Sequence, residues 1–294
     1  LSPWGYIGGI VLLSMVLWLG EFGQGAQRWL NLGIRFQPSE IMKLSVPMMI
    51  AWYLHEKRLP PTGKELIVIM VLVIIPGLLI ARQPDLGTSL LVIVAGLIVV
   101  FLSGIPFRYI FSLIILCIPS SLLLWKFMKD YQRQRVLTLI DPNTDPLGAG
   151  YNIIQSKIAM GSGGVFGKGW TNGSQVQLEF LPEKNTDFIF AVVGEEFGLL
   201  GVLTILILYL LIIGRGLYIA SNASDLYGRF LAGSISLTFF VYVFVNTAMV
   251  IGLMPIVGIP LPLISYGGTS MVTLMIGFGM LMSINSNRKL VAKK

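Results

Sequence analysis

Charge is scarce in this chain. Only 12% of its 294 residues are charged, against roughly 25% in an ordinary soluble domain. Its single cysteine, Cys117, lies inside an apolar run, which excludes a disulfide framework and a cysteine-built metal site. Its single histidine, His55, excludes a histidine-cluster zinc site and a triad built on a second histidine. A nucleotide loop is missing too. In GSGGVFGKG the position that a P-loop reserves for its first glycine is Ser162, and Lys168 is followed by Gly169. The GxGxxG pattern fails at Phe166. The backbone of this segment could still receive a phosphate, or the segment could be a plain turn.

Apolar residues fill the space that charge leaves: 55% of the chain is hydrophobic, and the mean hydropathy is +0.80. This composition indicates an all-α, polytopic integral membrane protein. The net charge of +7 would suggest nucleic acid in a soluble protein. In a membrane protein it points to basic cytoplasmic connections and anionic membrane lipids, with no nucleic-acid partner.

Apolar runs of about 17 to 25 residues mark membrane helices. Eight are expected, at Trp4–Leu19, Pro38–Leu54, Leu66–Ala81, Gly87–Leu102, Phe107–Trp125, Asp187–Gly214, Phe230–Gly252 and Gly268–Ile284. Pro47 and Pro76 fall inside helices and should kink them. The chain reads as a single membrane domain, residues 1–294, with one long loop at 126–186 carrying short amphipathic helices.

Basic residues set the orientation. Lys57, Arg58, Lys64, Arg108, Arg215, Arg229 and the tail residues Arg288, Lys289, Lys293 and Lys294 share one side. The short connections opposite hold only Arg28, Arg35 and Arg82. The positive-inside rule then places the C-terminus in the cytoplasm and the long loop outside. Trp29 and Tyr266 lie in the outer connections and could be interfacial anchors or part of a site.

The long loop runs into FLPEKNTDFIFAVVGEEFG, where acids meet an apolar run. Acids at or below a membrane surface are costly and mark functional candidates. Asp187 stands at the junction, and by itself it could equally be a helix-start acid with Thr186 as the cap. Glu195 and Glu196 lie about 12–14 Å further along, at about 1.5 Å per residue. Hydrogen bonding between helices, to Asn246, or a proton relay would suit them. Glu40 and Lys43, three apart near a helix start set by Pro38 and capped by Ser39, share a face. They form a structural ion pair or part of a site. Asp85 reads as a helix cap or a site residue.

Seven stretches together resemble the SEDS family (shape, elongation, division, sporulation): RFQPSEIMKL, QPDLGTSL, DYQRQRVLTLIDP, DPLGAGYNIIQSKIAMGSGG, FLPEKNTDFIFAVVGEEFG, FVNTAMVIGLMPIVGIPLPLISYGGTS and the basic tail. The likeness runs along essentially the whole chain, and is strongest to the members that act in cell elongation and rod shape. It implies a ten-span fold of which this chain begins at the third span. It implies a peptidoglycan glycosyltransferase of the bacterial cytoplasmic membrane, active at the outer face. The substrate would be lipid II, a disaccharide-peptide on undecaprenyl pyrophosphate, joined into β-1,4 glycan strands. The partners would be a class B penicillin-binding protein and the elongation machinery. The family's essential acid falls on Asp187.

That reaction needs a base for the acceptor hydroxyl, for which Asp187 is the candidate. It also needs cations for the leaving pyrophosphate. Arg28, Arg35, Lys43, Arg82, Lys157, Lys168 and Lys184 are candidates, with Glu40 and Glu183 as further substrate-binding residues. No dedicated metal cage is visible, so any Mg or Mn ion would arrive with the substrate. A lipid II flippase or a noncatalytic scaffold for the penicillin-binding protein are the competing readings.

Overall fold

The computed structural model describes residues 1–23, 26–31, 33, 35–106, 108, 109, 111, 115, 125, 126, 128, 130–145, 148–178, 180, 181 and 183–287. Within these, the helices are α1 (Ser2–Leu19), α2 (Pro38–Leu54), α3 (Gly63–Arg82), α4 (Leu86–Leu102), α5 (Asp130–Ile140), α6 (Ala149–Ser162), α7 (Ser174–Gln177), α8 (Ile189–Ser221), α9 (Leu226–Val250) and α10 (Gly268–Ser286). Five of them, α1, α3, α8, α9 and α10, are long and apolar enough to cross a membrane, and α4 is a shorter apolar helix. Seven of the eight expected spans therefore coincide with helices. The eighth, Phe107–Trp125, lies largely outside the described residues, as does the tail from Arg288 onward.

The chain divides into two compact units. The first comprises Leu1–Ile105, Leu211–Val241 and Gly268–Lys294, and the second Pro106–Leu210 and Tyr242–Gly267. In the first unit Leu13, Met42, Val46, Ile50, Ile69, Val73, Val92 and Val99 form a buried core. Lipid gives helices no hydrophobic reason to associate, so close packing through small residues must do so. Gly9 shows this: a Cβ there would sit 2.2 Å from the Met42 sulfur. Two polar groups inside bond across helices, Gln83 donating to Leu13 O at 3.0 Å and Ser89 to Gly77 O at 2.7 Å.

One element was not foreseen. The connection after α1 folds into a small antiparallel sheet of β1 (Glu21–Gly23), β2 (Ala26–Asn31) and β3 (Arg35–Phe36) in that order. Glu21 pairs with Trp29 and Leu30 with Phe36. One helix start differs from expectation and another agrees with it. Ser39 does not cap α2: Gln37 is the cap position, no side chain caps it, and Pro38 opens the helix. Proline is suited there because its missing N–H would have had no helical partner. Asp85 does cap α4, accepting from Thr88 N at 3.1 Å.

In the second unit α5, a 3-10 turn at Pro142–Thr144, α6 and α7 precede α8. Helix α8 starts at Ile189, two residues later than expected, and is interrupted at Gly198 (φ 64°, ψ −159°).

Candidate active site

Asp187 lies in the turn immediately before α8. The apolar start of that helix draws the turn inward: Phe188, Phe190 and Ala191 are almost fully buried. Three successive main-chain carbonyls fix the turn. Asn185 O accepts from Tyr266 N at 2.9 Å. Thr186 O accepts from the Ser265 hydroxyl at 2.5 Å. Asp187 O accepts from Asn246 Nδ2 at 3.0 Å.

Each clamp is itself held. Asn246, 0% exposed, gives its other amide proton to Ile259 O at 2.8 Å. Ser265 accepts from Leu261 N at 2.7 Å, and Tyr209 donates to Pro262 O at 2.6 Å. The Gly/Pro-rich segment after α9 is thus a rigid strap across the turn. Gly258 in that strap has φ +73°, and a Cβ there would reach 3.7 Å from Asp187 Oδ2. Glycine keeps a side chain off that flank of the carboxylate.

Burial pushes the Asp187 carboxyl up to about 6, the Glu183 carboxylate adds to the rise, and the Arg135 guanidinium opposes it. The charged form loses water that the protein only partly replaces. A carboxyl of this kind still ionises near neutrality and is a stronger base than a free aspartate. Thr186 does not cap α8. Its hydroxyl donates to Glu183 Oε2 at 2.6 Å.

The expected cations of this unit have separate surroundings. Lys168 is committed to Glu195, at 2.7 Å. Lys184 donates to Val176 O at 3.0 Å. Lys157 is exposed and lies over Gly252, where a Cβ would come 2.7 Å from its Nζ. Glu195 pairs with Lys168 and not with Asn246, whose amide is used by Asp187 and Ile259.

In the first unit Glu40 and Lys43 form a buried pair at 2.5 Å. Asp85 accepts from Gln37 Nε2 at 2.9 Å and lies 3.8 Å from Arg28 Nε. Arg28 also donates to Pro84 O at 2.7 Å. Arg35 stacks over Trp29 at 5.1 Å and faces Glu21 at 3.6 Å. Arg82 is exposed.

Sequence reasoning had not singled out Ser265 or Arg135. Arg135 was visible only as part of a basic face, and Ser265 only as one residue of an uncharged loop. Among the described residues no group of three or more His, Cys, Asp or Glu comes together as a metal site.

Residues 1–290 match the cell cycle protein family FTSW_RODA_SPOVE. The chain is 55% identical over 294 residues to the peptidoglycan glycosyltransferase MrdB of Escherichia coli strain K12, covering 99% of this chain and 80% of that protein. It is 37% identical to a probable peptidoglycan glycosyltransferase FtsW of Geobacter sp. strain M18, over 95% of this chain and 77% of that protein. Among solved structures, a chain from a peptidoglycan synthase complex that coordinates polymerization and crosslinking superimposes with a TM-score of 0.85 at 31% identity. That match covers 99% of this chain and 82% of the other. The Thermus thermophilus rod shape determining protein RodA superimposes with a TM-score of 0.71 at 27% identity, over 98% of this chain and 78% of that one.

Proposed function

Because the chain belongs to the FTSW_RODA_SPOVE family, the SEDS proteins, and is a multi-pass peptidoglycan glycosyltransferase of the bacterial inner membrane, we propose that Asp187 is its general base. The substrate is lipid II and the product is a β-1,4 glycan strand made for cell elongation. The acceptor's 4-hydroxyl oxygen attacks the donor's anomeric carbon as its proton passes to Asp187, and undecaprenyl pyrophosphate leaves. One displacement converts an α-linked donor into a β-linked product, with no covalent enzyme intermediate.

The observation that carries this reading is the Asp187 carboxyl, raised to about 6 chiefly by burial, in a turn whose main chain is clamped by Asn246 and Ser265 at the start of an apolar helix. At pH 7 such a group is roughly nine-tenths ionised, yet a better proton acceptor than an ordinary aspartate, and a base of this kind contributes about 10² to 10⁴ in rate.

Arg135, whose charge acts on Asp187, attracts the substrate's phosphates, and the exposed Lys157 is a further candidate for that role. Lys168 and Lys184 serve the architecture of the loop through their own contacts. For the first unit by itself, Glu40, Lys43, Arg35 and Arg82 remain substrate-binding candidates, Glu40 and Lys43 as a buried pair. A Mg or Mn ion enters, if at all, with the pyrophosphate. The chain works with a class B penicillin-binding protein that cross-links its product. The charge pattern of the connections supports a cytoplasmic C-terminus with Asp187 outside.

The test is polymerisation of labelled lipid II by the purified protein with its partner. Wild type should make long glycan and Asp187→Ala none. Normal polymer from Asp187→Ala would sink the assignment of the base. Translocation of lipid II in vesicles without polymer, lost in the same variant, would favour a flippase.

A further inference from the structure

Helix α8 contains a splice. In an unbroken helix Leu199 N–H would bond Glu195 O, and Leu200 N–H would bond Glu196 O. Here Leu199 N donates to Gly164 O at 2.9 Å and Leu200 N to Val165 O at 3.2 Å. Glu195 O accepts from Lys168 N at 3.0 Å and Glu196 O from Gly169 N at 2.9 Å. Each lost helical bond is replaced by two bonds to the segment 164–169. The fit depends on glycine. A Cβ at Gly163 would sit 1.9 Å from Gly194 O, at Gly167 2.1 Å from Glu196 O, and at Gly198 2.3 Å from Gly167 N. Non-helical backbone near lipid is tolerated only when its polar groups are satisfied in this way.

The environment of the helix changes at the splice. Before it, Phe190, Ala191, Val193, Glu195 and Glu196 are buried. After it, Leu199, Leu200, Leu203, Ile207, Leu208 and Leu210 are all 44% or more exposed, as a lipid-facing surface would be. From Leu199 to Tyr218 the helix rises about 30 Å, one hydrocarbon thickness. Arg215 stacks over Tyr218 at 5.2 Å near the far end.

The segment that forms the splice has reversed polarity for a water-facing loop. Its apolar residues point outward: Val165 is 52% exposed, Phe166 81% and Trp170 71%. Trp170 lies 5.6 Å from Phe197, itself 40% exposed. Its one charge, Lys168, turns inward to Glu195 and Ser174.

We infer that residues 163–170 are a membrane-inserted loop: Val165, Phe166 and Trp170 enter the lipid bilayer at the level of Gly198, continuous with the lipid-facing surface of α8. The occupant of this apolar patch is lipid, where tryptophan and other aromatic rings favour the boundary between chains and headgroups. The stretch Ile189–Phe197 then stands about 14 Å proud of the hydrocarbon at about 1.5 Å per residue. Resting on the reading of Asp187 as the base, that height sets the carboxylate above the lipid phosphates, where the sugars of a lipid-linked disaccharide lie.

The test needs no activity. The whole protein, carrying Cys117→Ser and Phe166→Cys with an NBD label, is reconstituted in nanodiscs of phosphatidylethanolamine and phosphatidylglycerol. Quenching by nitroxide lipids labelled at a shallow or a deep chain position is compared with quenching by aqueous iodide. Trp170→Cys repeats the measurement, and Asn185→Cys, an exposed position beside Asp187, is the reference. The expected result is several-fold stronger quenching by the shallow nitroxide than by iodide at positions 166 and 170, with the opposite order at 185. Iodide quenching at 166 and 170 equal to that at 185 overturns the inference. So does shielding of 166 and 170 from both quenchers in the reconstituted protein by itself, which would mean that protein and not lipid covers the patch. Neither result touches the polymerisation test of Asp187, so the two readings fail separately.

Discussion

Lys168 brings its Nζ to 2.7 Å from Oε1 of Glu195, a side chain with 0% exposure. The same oxygen accepts from Ser174 Oγ and Gln175 N, each at 3.1 Å. The lysine side chain is 30% exposed, so the two partners are unequal. Lys168→Met strands a buried carboxylate and should cost about 3 kcal/mol, because removing one member of such a pair leaves an uncompensated charge. Glu195→Gln should cost less, since the freed ammonium can turn to water. The double variant should recover most of the loss. Thermal unfolding of the four proteins in detergent checks the order.

The carboxyl of Asp187 sets a pH window. Its folded pKa of about 6 stands above the ordinary 3.8, so the native state holds the proton more tightly than the unfolded chain. The contribution to stability is complete below 3.8 and is lost as pH rises to 6. Asp187→Asn should therefore raise the unfolding temperature at pH 7.5 and leave it nearly unchanged at pH 3.5. The wild-type polymerisation rate should fall as pH drops through about 6, where protonation removes the base. Unfolding scans at the two pH values and a pH–rate profile give both answers.

Ser265 reaches Asp187 only through the carbonyl of Thr186. Ser265→Ala should lower the rate about tenfold, the scale of a lost hydrogen bond of about 1.5 kcal/mol. It should also move the acid limb toward the ordinary carboxylate range, as a looser turn lets water in. Ser265→Thr keeps the hydroxyl and should restore both rate and limb. A rate loss without movement of the limb would mean that the strap does not control the carboxylate.

Gly198 is required by conformation as well as by space. Its φ is 64°, and a Cβ would meet Gly167 N at 2.3 Å and Val165 O at 2.7 Å. Gly198→Ala should cost at least about 2 kcal/mol from backbone strain and displacement of the loop. Gly279, within α10 and with nothing within 4 Å, is the contrast, and Gly279→Ala should leave the unfolding temperature almost unchanged.

The readable parts were those that depend on near neighbours. Helices follow from runs of apolar residues, so α2 begins and ends where hydropathy placed a helix. The Asp85 cap and the Glu40–Lys43 pair are contacts at three residues' spacing, which helix geometry dictates. The sheet at Glu21–Phe36 escaped notice because its strands are short, and such pairing is fixed by turns more than by pattern.

Composition and local pattern by themselves determined that this chain lies in a membrane, where most helices run, and that Asp187 sits where an apolar helix begins. Tertiary structure decided who meets whom. Asn246 could have served Glu195, but it serves the main chain at Asp187, and Glu195 takes Lys168. The glycine-rich stretch could have been a phosphate cradle, but its amides are spent on the carbonyls freed at Gly198. A buried polar group must find a partner wherever the fold brings one. That choice depends on how distant segments close on one another, which no local pattern encodes.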